Sequence, residues 1–157
     1  MGDQVTVTEH IDAAPEAVYA LVSDLPRMGE WSPENTGGKW MGGATAAAPG
    51  VRFRGTNREG GWRRWSTTVT IVDATPPTSL VFDVTAGPVK VARWGYHIEP
   101  AAGGGCTVTE TWEDHRAGWM KAIAGPVTGV SDRKSHNEAG MRATLAALKA
   151  AAESGSG

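Results

Sequence analysis

Residues 4–11 alternate: Val5, Val7, Glu9 and Ile11 fall on one face and Thr6, Thr8 and His10 on the other, the period of a half-buried strand. The period changes at Pro15, which opens a helix where its missing N–H costs nothing. Val18, Leu21, Val22 and Leu25 form the helix's apolar stripe, and Pro26 ends it. A short strand is predicted at 39–42, and the small residues of 42–50 read as an exposed connection. Alternation then resumes as a meander of antiparallel strands at 51–59, 62–74, 80–85 and 91–99, with a last strand carrying Cys106, Val108, Glu110 and Trp112 on one face. Gly60-Gly61, Pro76-Pro77, Gly87-Pro88 and Gly103 to Gly105 mark the turns. Finally Val130, Arg133, Asn137, Met141, Leu145 and Leu148 recur every three or four residues up to Ala152, the pattern of a long terminal helix. Gly125-Pro126 separates it from a shorter helical or irregular piece at 119–124.

One strand, two short helices, six strands and a long helix close in few ways. A strongly bent antiparallel sheet wrapped around the terminal helix buries both apolar surfaces at once. The helix stripe is narrow and has Ala139 and Gly140 near its middle, so the helix is too thin to fill the curve of the sheet. A concave apolar space is expected between them, and such a space is the natural ligand site of this α+β architecture.

The chain of 157 residues is long enough for one domain, taken as 1–152 with a flexible tail at 153–157. Apolar residues make up 40%, charged residues 20%, and the formal charge is −2, which excludes a disordered polyampholyte and gives no basic face for nucleic acid. The single cysteine, Cys106, cannot form an internal disulfide. No signal-peptide pattern opens the sequence, and no apolar run approaches the ~20 residues of a membrane span, so a cytoplasmic location without integral membrane contact is expected. Seven tryptophans against two phenylalanines change the picture further. Indole is large, carries an N–H and is seldom wholly buried, which suits a ring-lined pocket better than an aliphatic core.

Alternation places Glu110 inward between Val108 and Trp112. Three roles suit it: an ion pair with Arg133 that pins the terminal helix, a hydrogen bond to a ligand, or acid/base work. Tyr96, Asn57 and Asn137 share inward phases and can orient a ligand. For Asn57 a bond to backbone near Gly60-Gly61 is an equal alternative, and Tyr96 can instead be core. Trp65, Trp94 and Trp112 share the inward phase with Phe53, Val69 and Ile71, as cavity wall or as core. Phe82, Val108 and Met141 complete the apolar lining. Trp31 reads as a packing anchor, and Trp40 fits either role. His10, His97, His115 and His136 lack metal-ligand spacing, Cys106 reads as a small apolar filler, and no nucleophile elbow, P-loop or dinucleotide fingerprint is present, so neither metal nor cofactor is expected. Arg63-Arg64 reads as a solvated strand face.

Several segments carry a resemblance. Ala-Ala-Pro-Glu-Ala-Val-Tyr (13–19), Ser-Asp-Leu-Pro-Arg-Met-Gly-Glu-Trp-Ser-Pro-Glu (23–34), Gly-Val-Arg-Phe-Arg-Gly-Thr-Asn-Arg (50–58), Trp-Gly-Tyr-His-Ile-Glu-Pro (94–100), Cys-Thr-Val-Thr-Glu-Thr-Trp (106–112) and the terminal helix from His136 to Lys149 are similar to the START and birch-pollen-allergen superfamily, SRPBCC. Within it they look like the bacterial polyketide cyclase/dehydrase and lipid-transport proteins. The resemblance implies a helix-grip fold, with a curved seven-stranded antiparallel sheet around the long C-terminal helix. It also implies a gate at the cavity entrance, where Trp62, Trp119 and the Gly87-Pro88 turn would gather. Fold does not choose among the superfamily's functions. Binding a small hydrophobic, aromatic or polycyclic ligand for transport, sequestration or protection is the first expectation. A polyketide aromatase/cyclase using Glu110, Tyr96 and Arg133 is the second, and a protein-partner switch with mobile gate turns the third.

Overall fold

The computed structural model describes residues 3–33, 35–59, 62–116 and 133–155. The first strand, β1 (Gln4–Ile11), buries Val5, Val7 and Ile11 and turns its threonines out. Helix α1 (Pro15–Val22) has its proline in the first turn and buries Val18, Tyr19 and Val22. Leu21 is only half-buried, so the inward stripe is rotated toward Tyr19 relative to the expected one. A 3-10 helix follows at Leu25–Glu30, and Pro26 sits in its opening turn. The residue that stops one helix thus starts the next, because a fixed φ and an absent donor are harmless only at a helix start.

Strand β2 spans Asn35–Trp40 rather than the expected 39–42. Its middle is Gly37-Gly38, both with positive φ, at a register shift against β3 (Arg52–Glu59). Here they let the backbones close up: a Cβ on Gly38 would run into the Arg54 carbonyl and the Phe53 ring.

The meander continues through β4 (Arg63–Thr75), β5 (Ser79–Ala86), β6 (Val89–Pro100) and β7 (Cys106–Asp114). All seven strands form one antiparallel sheet in the order β1-β7-β6-β5-β4-β3-β2, leaving β1 and β2 at the edges. A bulge in β4 between Ile71 and Asp73 exposes Val72 and lets Ile71 stay buried.

Helix α2 (Arg133–Gly155) packs against β1, β7 and α1. It continues three residues past Ala152, because Glu153 is engaged: it accepts hydrogen bonds from the Asp12 backbone N–H at 2.8 Å and from Lys149 Nζ at 2.7 Å. Those half-exposed polar contacts steer the helix end and contribute little stability. Met141, Leu145, Leu148 and Ala152 are buried, and each fully buried large side chain contributes roughly 1.5–3 kcal/mol. The bent sheet wraps the helix as the pattern predicts, in the α+β helix-grip arrangement that the resemblance implies.

Candidate functional site

Strands β4 to β7 carry their inward side chains along a gradient, from closely packed core at one end to open space at the other. On β7, Cys106 and Val108 are wholly buried in the core, whereas Glu110 and Trp112 face a hollow. On β6 the sequence runs from Ile98 in the core to Tyr96, Trp94 and Ala92 in the cavity wall; on β5, from Leu80 to Phe82 and Val84. On β4 it runs from Ile71 to Val69, Thr67 and Trp65, and β3 adds Phe53 and Asn57. Helix α2 repeats the division, with Leu145 and Leu148 in the core and Asn137, Met141 and Thr144 over the hollow. Gly140 shares that surface and faces Pro33, so a missing side chain widens the space. The half-enclosed cavity measures about 390 Å³, within the range of small-molecule sites.

Glu110 is 2% exposed. It stands directly across from Tyr96 in the β6–β7 ladder and from Val7 in β1. The Tyr96 hydroxyl donates to Glu110 Oε2 at 3.0 Å, while Oε1 is buried with no hydrogen-bond partner among the described residues. Burial pushes the Glu110 carboxyl up to about 8 despite the opposing effect of the tyrosine bond, so the group is neutral near pH 7. Tyr96 is pushed well above its ordinary value, first by burial and then by the neighbouring carboxyl. The next cross-strand pair, Trp94 and Trp112, sets two rings 6.5 Å apart at 49°. Arg116 reaches the same cavity, with its guanidinium held by Asp114 through bonds of 2.9 and 2.8 Å.

The structure brings together Phe53, Asn57, Trp65, Val69, Phe82, Trp94, Tyr96, Glu110, Trp112, Asn137 and Met141 in one wall. Val108 has the expected phase but lies at the packed end, outside the cavity lining. Asn57 donates to Thr67 Oγ1 at 3.3 Å and accepts from Asn35 Nδ2 at 3.5 Å, side-chain partners in place of the turn backbone. Trp119 and the side chain of Arg133 lie outside what the structure describes, so the Glu110–Arg133 pair is not on view. Trp62 is 72% exposed, stacked under the Arg63 guanidinium at 4.1 Å, and takes no part in the lining. Trp31 is buried beneath Arg27, and Trp40 packs its edge on Phe53 at 5.2 Å.

Sequence reasoning misses wall residues from helices and connections, among them Leu25, Met28, Pro33, Arg116, His136 and Thr144. Thr144 was within reach of the pattern, since it follows Asn137 by seven residues and Met141 by three. For Pro33 and Arg116, irregular segments carry no period to read.

Residues 3–153 match the family described as polyketide cyclase / dehydrase and lipid transport. A polyketide-cyclase-like protein of Corynebacterium glutamicum is 29% identical, with a TM-score of 0.63 over 93% of this chain and 88% of that one. The di-domain ARO/CYC BexL superposes with a TM-score of 0.72 at 21% identity over 96% of this chain, which spans half of BexL. An AHSA1-like protein of Aeromonas hydrophila gives 0.65 at 21% identity over 98% of this chain and 94% of its own. No curated protein matches the sequence significantly. Family and cavity together support a hydrophobic-ligand-binding or polyketide-cyclase role. With the match extending over nearly the whole sequence, the chain belongs to the polyketide cyclase/dehydrase and lipid transport family.

Proposed function

We propose that the protein binds a small, largely apolar, ring-containing molecule in the sheet–helix cavity, for transport, sequestration or protection. One observation carries this reading: the hollow that α2 leaves under the curved sheet is walled by Phe53, Trp65, Phe82, Trp94 and Trp112. Apolar walls with a few convergent polar groups are how small-molecule sites gain affinity and orientation. Because three of those rings are indoles, occupancy reports itself. Titration with polycyclic aromatic compounds is expected to quench intrinsic fluorescence saturably at one ligand per chain. Gly140→Leu, which puts a side chain into the hollow, is expected to abolish that response while the fold persists. A flat response across the panel overturns the reading.

The Tyr96–Glu110 pair favours a second reading, an aromatase/cyclase that folds a poly-ketone chain. A neutral acid can deliver a proton to a developing enolate oxygen, and confinement of one folded conformer supplies much of such a rate. The ARO/CYC description of BexL, a protein of the same fold, agrees with it. Product formation from poly-ketone mimics, lost in Glu110→Gln, separates this enzyme from a carrier, which binds the mimics and releases them unchanged.

A further inference from the structure

Buried side-chain polar atoms without a partner are few among the described residues. They are Tyr19 Oη, Trp31 Nε1, Arg63 Nε and Glu110 Oε1, and of these four residues Glu110 alone lines the cavity. Such an atom in an apolar wall is either a standing cost or half of a contact that a ligand completes.

The surroundings decide which kind of contact. Glu110 is flanked across the ladders by Val7 and Tyr96 and along its own face by Val108 and Trp112. On β5 Leu80 stands across from Tyr96, with Phe82 and Val84 following along the same face; the 3-10 helix contributes Leu25 and Met28, and α1 buries Val18, Tyr19 and Val22. Among the described residues, the titratable or charged groups in the cavity wall besides Glu110 are Tyr96, Arg116 and His136, and Arg116 is engaged bidentately by Asp114. No described cation forms an ion pair with Glu110. A bare carboxylate oxygen there would be a buried charge without a counter-ion, which is far costlier than a neutral acid. Tyr96 donates to Oε2, so that oxygen is the acceptor and the acid proton belongs on Oε1.

Resting on the ligand-binding reading above, we propose that the ligand carries a carbonyl oxygen, and that Glu110 selects it by donating the Oε1–H hydrogen bond while Tyr96 holds the carboxyl in place. The ligand class is therefore an aromatic or polycyclic ketone or quinone rather than a plain hydrocarbon. A ketone accepts and cannot donate, so its contact exists only while Glu110 keeps its proton. The raised titration of Glu110, to about 8, puts the loss of this contact on the alkaline side of neutrality.

The test uses two isosteric probes, fluorene and 9-fluorenone, measured by tryptophan quenching against the wild-type protein, Glu110→Met and Glu110→Gln. The methionine variant gives the intrinsic preference of the hollow without a polar partner. Relative to it, wild-type protein at pH 6 is expected to favour the ketone about tenfold more, the worth of one buried hydrogen bond. That advantage is expected to vanish by pH 9.5. Glu110→Gln retains an amide donor and has nothing to titrate, so it keeps the ketone preference at both pH values. Equal ketone-to-hydrocarbon ratios in wild type and Glu110→Met, or a wild-type ketone preference that survives to pH 9.5, overturn the carbonyl assignment alone. If neither probe binds, the ligand-binding reading falls and takes this one with it.

Discussion

At the residue scale, Glu110 ties stability to pH in a direction opposite to that of most carboxylates. Its folded-state titration lies near 8 against an ordinary 4.5. Below pH 4.5 the group is protonated in both folded and unfolded chains and exacts no penalty. Between 4.5 and 8 the unfolded chain releases the proton while the folded protein holds it, so stability falls as pH rises, and above 8 the loss levels off. The span corresponds to about 5 kcal/mol at one site. Glu110→Gln removes the dependence. Thermal denaturation is therefore expected to show the variant equal to wild type near pH 4.5 and increasingly more stable up to pH 8. Parallel curves for the two proteins would show that Glu110 ionises freely in the fold. Trp112 illustrates a different residue-scale dependence: it is buried at the cavity's inner wall, and its truncation to Ala is expected to cost about 3–5 kcal/mol in chemical denaturation. A loss below 1 kcal/mol would mean that the ring bears on the hollow and not on the core.

At the scale of elements, the strands were legible wherever side chains alternate. Cys106, Val108, Glu110 and Trp112 share a buried face as their spacing predicts. Period gives the face of a strand, however, and not the depth along it. That is why Val108 lies in the packed end and Glu110, two residues on, in the wall. Strand β2 begins before the expected 39–42 because Gly37-Gly38 carries no apolar–polar pattern to read, and its extent is set by the ladder with β3. The acid and its tyrosine were legible singly; their pairing required the β6–β7 register. That register offers an element-scale prediction. Gly95 lies between Trp94 and Tyr96, and a Cβ there would meet Thr111 Oγ1 at 2.7 Å and the His97 ring at 3.2 Å. Gly95→Val makes the Thr111 and His97 side chains turn away or shifts β6 from β7, and both the tyrosine–glutamate bond and the paired tryptophans depend on that spacing. Ligand quenching is expected to be lost together with at least 2 kcal/mol of stability; retention of full binding would show that the ladder yields without disturbing the wall.

At the scale of the whole molecule, the sheet is open, and its first strand is joined last in sequence terms: Gln4 pairs with Glu113 across more than a hundred residues, while β2 to β7 pair with sequence neighbours. Helix α2 leans chiefly on β1, and Lys149 Nζ donates to the His10 carbonyl at 3.0 Å, so strand and helix hold each other. The meander can assemble from local contacts, but the roof over the hollow arrives only with this long-range closure. A binding pocket of this kind has no existence in a partly opened protein. Any occupant must therefore act as a latch: saturating ligand is expected to slow amide hydrogen exchange across residues 137–148 far more than across the edge strand β2. Uniform protection, or none, would place the occupant elsewhere. The cell would then read cargo as lifetime, since a loaded molecule resists the transient opening that exposes an empty one to proteolysis.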